Sequence, residues 1–241
     1  MEAVVFDFDG LIVDTESVWY DVFCGIFRKL DYDLTIDEFA LCIGTSDDVL
    51  FDRLKKKVSF TKESVLREAK SIYKDQLPAL KLRDGVLEYL NTAKNLGFKI
   101  GLASSSNRIW VEGFLDRFDI KDYFDVIKTA DDVVKIKPDP ELYLAAIKEL
   151  RAAPEETIAF EDSVNGLRAA LDAGLNVVIV PNKVTGQLNF GGHILRLNSM
   201  SDMTFEELLT ALSTSGEKIF LSSHQYELMR RQERECFTCR L

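Results

Sequence analysis

The chain has 241 residues, 46% hydrophobic and 29% charged, with 30 Lys and Arg against 40 Asp and Glu for a formal net charge of -10. That balance excludes disordered, collagen-like and coiled-coil classes, and its acidity argues against nucleic acid or an anionic membrane as partner. No apolar run approaches the roughly 18 residues that span a bilayer, and no basic, apolar leader precedes the first strand pattern, so a cytoplasmic location is expected.

Ala3-Val4-Val5-Phe6 predicts a short buried strand that ends at Asp7-Phe8-Asp9-Gly10. Apolar residues at helical spacing then predict helices over 16–30, 35–41, 46–57 and 61–77, with no strand among them. Thr35-Ile36-Asp37-Glu38 carries a capping-box pattern, in which Thr accepts from a first-turn amide and Glu reaches back. This stretch reads as an all-helical insertion. From Leu82 onward strands and helices alternate: helix 84–96 stopped by Gly97, strand 99–103, helix 108–118, strand 126–128 and helix 140–150. Strand 157–160, helix 164–173 stopped by Gly174, strand 176–180, an edge strand at 194–197 and helix 204–212 complete the series. Alternation of this kind predicts an α/β fold with a doubly wound, mainly parallel sheet, whose site lies at the carboxyl ends of the strands. Residues 1–14 and 81–215 form the expected core, 15–80 the helical insertion, and 216–241 a loosely ordered C-terminal tail.

The four cysteines and two histidines offer little chemistry. Cys24 and Cys42 fall in helical patterns and read as small core residues. Cys236 and Cys239 form a C-x-x-C, but no second pair or strand–helix redox context accompanies them. His193 and His224 lack triad or metal-ligand spacing, so histidine catalysis is not expected.

Four short segments fall where strands end. Asp7-Phe8-Asp9-Gly10 follows the first strand, and two carboxylates there are costly unless a cation or proton is shared. Ser104-Ser105-Ser106-Asn107 follows strand 99–103, a hydroxyl-rich helix start that serves as an N-cap or a phosphate cradle. Lys137-Pro138-Asp139-Pro140-Glu141 is stiffened by two prolines that fix the direction of Lys137. Glu161-Asp162-Ser163-Val164-Asn165-Gly166 follows strand 157–160. Together they supply a phosphoryl-transfer site. Asp7 is the candidate nucleophile, and Asp9 the acid that protonates the leaving oxygen and later deprotonates water. Asp7, Asp9 and Asp162, supported by Glu161, are hard oxygen ligands suited to Mg²⁺. Ser104, Ser105 and Lys137 are the candidate phosphate-binding residues.

In these segments the chain resembles the haloacid dehalogenase superfamily, in its branch with a helical cap. Phe6 to Glu16 looks like the first motif of that family, Gly101 to Ser106 the second, Lys137 to Glu141 the third and Phe160 to Gly166 the fourth. The resemblance covers roughly residues 1 to 212. It implies a Rossmann-like core, Mg²⁺ as cofactor, Asp9 as a ligand through its backbone carbonyl, and hinges near 13–15 and 80–84. Dehalogenases proper lack an acid two residues after the nucleophile, so Asp9 favours phosphotransfer.

The sequence is also similar to the β-phosphoglucomutase branch, which has a cap His and a cap Arg where this chain holds Trp19 and Asp47. An indole cannot shuttle a proton and a carboxylate cannot hold a second phosphate. The expected function is therefore a Mg²⁺-dependent phosphatase acting on a small phosphorylated metabolite, working as a monomer, rather than a sugar phosphomutase. A non-catalytic regulatory module on the same fold is the alternative of another class, disfavoured by the completeness of the site. Three residues are secondary candidates for substrate selection. Trp19 either packs within the cap or covers the mouth of the site, Asn107 opens the helix after the serine loop, and Asn165 is expected to cap or brace the carboxylates. Lys55-Lys56-Lys57 reads as a solvated helix end.

Overall fold

In a computed structural model the chain is described over residues 1–40, 42–43 and 48–214. Six strands form one sheet: β1 (Ala3–Phe6), β2 (Lys99–Ala103), β3 (Val126–Lys128), β4 (Thr157–Glu161), β5 (Asn176–Ile179) and β6 (Leu195–Arg196). Their order is β3-β2-β1-β4-β5-β6 and every pairing is parallel. β1 sits at the centre, with Phe6 in register with Leu102 on one side and Phe160 on the other. The strand order reverses between β1 and β4, the place where an open parallel sheet leaves a crevice at its carboxyl edge.

All four residues of β1 are fully buried, as a central parallel strand covered on both faces requires. Alternate residues face opposite layers. Val4, Phe6, Ile100, Leu102, Ile158 and Phe160 pack on α5 (Val86–Asn95), α6 (Arg108–Arg117) and α9 (Phe205–Thr214). Ala3, Val5, Ala103, Ala159 and Val177 pack on α7 (Glu141–Leu150) and α8 (Val164–Asp172). Small residues on that second face let α7 lie close to β1 and β2, which brings its N-terminal loop over the strand ends.

Between β1 and α5 the described residues form four α-helices and no strand: α1 (Thr15–Arg28), α2 (Ile36–Phe39), α3 (Asp48–Leu54) and α4 (Lys62–Gln76). Phe23, Phe27, Phe39 and Phe51 pack around one another in their interior. The capping box expected at Thr35–Glu38 is formed, and Glu38 also accepts from Tyr32 (2.6 Å) and Lys57. Lys55, Lys56 and Lys57 are exposed at the end of α3, with Lys57 paired to Glu38. The two chain passages into the helical block are tied together, because Val13 bridges Leu82 and the Arg83 amide donates to Ile12 O at 2.9 Å.

Several expectations shift. The predicted helix 35–41 is a single turn, Ile36–Phe39, so Cys42 lies in a turn rather than a helix, although it is buried as expected. Strand 157–160 extends one residue to Glu161, because its ladder with β5 continues to Ile179. The edge strand narrows to Leu195–Arg196. Asp47, the 215–241 segment and its Cys236, Cys239 and His224 lie outside the described residues. No described helix is long and apolar enough to cross a membrane.

Candidate active site

The site assembles at the carboxyl ends of β1, β2 and β4. Asp7 continues β1, its amide donating to Phe160 O at 3.0 Å. Lys137 reaches it from the loop before α7, immediately ahead of a cis Lys137–Pro138 bond. The lysine is 1% exposed and donates to Asp7 Oδ1, Glu161 Oε1 (2.6 Å) and Ala103 O (2.8 Å). Its ammonium also lies 4.8 Å from the centre of the Tyr143 ring. A buried cation with three acceptors and a π face is fully satisfied, and the neighbouring carboxylates hold it firmly protonated despite burial.

Oxygen atoms of Asp7, Glu161 and Asp162 lie within 4.8 Å of one another, and all three residues are buried. Burial pushes the Asp7 carboxyl up to about 8; Lys137 opposes this and the Glu161 charge adds to it. Burial likewise raises Asp162, and the charges of Asp7 and Glu161 raise it further. Three buried carboxylates, two of them paired to the one buried lysine, form a hard-oxygen set short of positive charge, the chemistry that suits Mg²⁺. Their surroundings leave little slack. Gly10 has φ +84°, and a Cβ there would fall 2.2 Å from Asp162 Oδ2 and 2.7 Å from Asn182 Nδ2. Only glycine can make that turn beside the carboxylate.

Glu161 and Asp162 differ in what they offer. The two Glu161 oxygens accept from Lys137, Tyr143 Oη (2.6 Å), Asp162 N (3.1 Å), Ser163 N (3.3 Å) and Ser163 Oγ (3.2 Å). Asp162 accepts from Asn182 Nδ2 at 2.7 Å, which leaves it free lone pairs. Glu161, counted from the sequence among the metal ligands, is occupied in bracing Lys137 and the start of α8.

Asp9 stands apart from the acid cluster. Its carboxylate accepts from Thr15 Oγ1 (2.9 Å), Ser106 Oγ (2.6 Å), Trp110 Nε1 (2.9 Å) and, weakly, Ser104 Oγ (3.4 Å). It lines a cavity of 710 Å³ between the sheet edge and the helical block, together with Trp19, Tyr73, Ser105, Ser106, Asn107 and Trp110. Its side chain therefore faces the cavity rather than the acid cluster. Ser104 is 1% exposed and takes a hydrogen bond from Ser106 N at 3.0 Å, closing the serine loop on itself.

The secondary candidates divide. Trp19 both packs and lines the cavity, stacked on Tyr73 at 4.1 Å with 11° between the rings. Asn107 lines the cavity and also caps α6, accepting from Trp110 N at 2.9 Å. Asn165 does not brace the carboxylates: its amide donates to Ile43 O at 2.7 Å in the helical block, and Ser163 caps α8.

Sequence reading missed Trp110, Tyr143, Asn182 and Arg83. Arg83 donates to the carbonyls of Gly10, Val180 (2.9 Å) and Pro181 (2.7 Å), clamping the turn after Asp9 to the loop after β5. The one available signal for Arg83 was its place within the expected 80–84 hinge.

The profile of the haloacid dehalogenase-like hydrolase family matches residues 4–180. The chain is 45% identical over 221 residues to the Bacillus subtilis protein named "Putative phosphatase YhcW", covering 90% of this chain and all of that one. It is 32% identical to the "Phosphorylated carbohydrates phosphatase" of Thermotoga maritima, covering 88% of this chain and 98% of that one. Among solved structures, CbbY from Rhodobacter sphaeroides in complex with phosphate superposes with a TM-score of 0.69 at 28% identity, covering 84% of this chain and 96% of that one. Four motifs gathered on one sheet edge and a profile match over most of the length agree: the chain belongs to the haloacid dehalogenase-like hydrolase family, in its phosphatase branch.

Proposed function

We propose that the protein hydrolyses a small phosphate monoester, a sugar phosphate or similar metabolite, through an aspartyl-phosphate intermediate on Asp7. One observation carries the reading. Asp7 lies buried against Lys137 at the end of β1, while Asp9, two residues on, turns its carboxylate into the cavity. A nucleophile and an acid–base group thus face one bound ester from different sides. Relatives that are themselves named phosphatases, one of them for phosphorylated carbohydrates, support the reaction class.

Asp7 Oδ attacks phosphorus as the P–O bond to the leaving group breaks, and the Asp9 carboxyl gives its proton to the departing oxygen. Asp9 then takes a proton from water, whose oxygen attacks the phosphoryl group and frees Asp7 and inorganic phosphate. Lys137 holds the attacking oxygen in place, and the Ser104–Ser106 loop presents its hydroxyls and amides to the transferring oxygens. Thr15, Ser106 and Trp110 fix Asp9 where the leaving oxygen emerges. Mg²⁺ would be held by Asp7, Asp162 and the Asp9 carbonyl, with Glu161 in support, and it would neutralise charge between nucleophile and phosphate. Hydrolysis is favoured over a mutase reaction because Trp19, stacked on Tyr73, has no group to move a proton between sugar hydroxyls.

The test is turnover of p-nitrophenyl phosphate with Mg²⁺ by wild type and Asp7→Asn. Metal-dependent release of p-nitrophenol, lost in the variant, is expected. Equal turnover by both refutes Asp7 as nucleophile. Incubation with β-glucose 1-phosphate should yield free phosphate, and accumulation of glucose 6-phosphate would instead establish a mutase.

A further inference from the structure

The outer wall of the cavity contains a group that the proposed chemistry does not use. Tyr73, on α4, is 3% exposed, and its Oη has no hydrogen-bond partner among the described residues. A buried hydroxyl in that state is costly unless something outside the chain satisfies it. The ring cannot turn to find a partner. It is stacked on Trp19 at 4.1 Å and packed 5.8 Å from Trp110. Its hydroxyl is therefore fixed in direction, within the cavity wall that also holds Asp9 and Ser106.

Lys70 and Lys74 flank Tyr73, one turn apart on the same helix, and both line the cavity. Both are exposed, and neither makes an ion pair among the described residues. Lys57, Lys62 and Lys121, by contrast, are each paired with a carboxylate. The cavity lining also holds the Asp9 and Glu16 carboxylates, so the two unpaired ammonium groups concentrate its positive charge along the α4 edge.

The geometry points to a leaving-group subsite in which Tyr73 Oη hydrogen-bonds a substrate hydroxyl and Lys70 and Lys74 bind a second anionic group, phosphate or carboxylate, remote from the transferred one. Trp19 and Trp110 supply flat apolar walls of the kind that cover the C–H face of a sugar or polyol. This assignment rests on the Asp7-centred reading and narrows its substrate to a polyhydroxylated phosphate monoester that carries a further negative charge.

Steady-state kinetics with Mg²⁺ on four esters test it: p-nitrophenyl phosphate, glucose 6-phosphate, 6-phosphogluconate and fructose 1,6-bisphosphate. Wild type should favour at least one of the two doubly anionic esters over glucose 6-phosphate by about tenfold in kcat/KM, and which one is favoured separates carboxylate from phosphate. The Lys70→Gln/Lys74→Gln variant should lose that preference, chiefly through KM. Tyr73→Phe should lower the ratio of kcat/KM on the sugar esters to that on p-nitrophenyl phosphate by about tenfold. Its Tm should not fall, since the hydroxyl it removes has no partner among the described residues. Glucose 6-phosphate handled as well as both doubly anionic esters, or a preference surviving in the double lysine variant, overturns the anion site. A Tyr73→Phe ratio that does not change, or a Tm that falls, overturns the hydroxyl contact. Absent turnover of p-nitrophenyl phosphate by wild type, or undiminished turnover by Asp7→Asn, strikes the underlying reaction instead, so the two failures are distinguishable.

Discussion

Gly166→Ala is the sharpest perturbation the site offers, because an exchange that ordinarily strengthens a helix should here weaken the protein. Gly166 lies in the first turn of α8, and a Cβ on it would fall 1.9 Å from Glu161 Oε1, 2.0 Å from its Cδ and 2.1 Å from Oε2. Non-bonded carbon atoms rest near 3.5–4.0 Å, so either the carboxylate or the start of α8 must retreat by roughly 1.5 Å. Both are pinned. Glu161 accepts from Lys137, Tyr143, the amides of Asp162 and Ser163, and Ser163 Oγ, and Gly166 N is itself held by Ser163 Oγ at 3.0 Å. Displacing a buried, charge-paired carboxylate costs about 3–5 kcal/mol, against a helix-propensity gain of about 1 kcal/mol. The expected net loss is about 2–4 kcal/mol. Movement of Lys137 with Glu161 should also lower kcat by about a hundredfold. The internal control is Gly25→Ala, at an exposed position in α1 where an added Cβ meets nothing within 4 Å. It should gain about 0.5–1 kcal/mol. Chemical denaturation of both variants decides the matter. If Gly166→Ala is as stable as wild type, or shifts in the same direction as Gly25→Ala, the packing argument for Glu161 is wrong.

Three further outcomes are expected. Arg83→Met leaves the carbonyls of Gly10, Val180 and Pro181 without their donor and should destabilise the fold by about 2–4 kcal/mol; a change below about 0.5 kcal/mol would show that other donors replace it. Saturating Mg²⁺ should raise the Tm of wild type, with about 2.7 kcal/mol of stabilisation at a hundredfold excess over Kd, and Asp162→Asn should reduce that shift; an equal shift in both proteins removes Asp162 from the metal site. Burial acts to raise Glu38, but hydrogen bonds from Lys57, Tyr32 and Thr35 outweigh it and hold the carboxyl at about 2 against an ordinary 4.5. Its folded-state value is depressed, so the stabilisation is complete above pH 4.5 and is lost as pH falls through about 2. Unfolding free energies of wild type and Glu38→Gln should therefore converge over that window, and a difference independent of pH refutes the assignment.

Much of the fold was legible because its code is local. The apolar run of β1, the glycine stops at Gly97 and Gly174, and the alternation of strand and helix patterns are short-range signals. Parallel pairing then follows from the crossover geometry of strand–helix–strand units. Three of the motifs fall beside a strand pattern, which gathers Asp7, Ser104 and Asp162 on one sheet edge, while Lys137 lies in the loop before α7 and was legible only through its proline-flanked motif. The helical block was legible only as helices. Periodicity says which face of α4 is apolar, and it gave no reason to separate Tyr73, buried in the cavity wall, from the other aromatics of the block.

By itself, then, the sequence determined the class of fold, the order of its elements and the four segments of the candidate site. Tertiary structure decided what each group faces. The indole of Trp110 reaches Asp9 across 101 positions of chain, and Arg83 reaches Pro181 across 98. Asn165 crosses 122 to Ile43 instead of bracing its neighbours, and Glu161 directs its oxygens to Lys137, Tyr143 and the start of α8. The physical reason is the same in each case. A strand or helix fixes where a residue's backbone lies, but the direction and partner of its polar atoms are chosen by desolvation. Buried donors and acceptors are matched by whatever the folded chain brings within reach, and Tyr73 Oη is an exception because nothing among the described residues matches it.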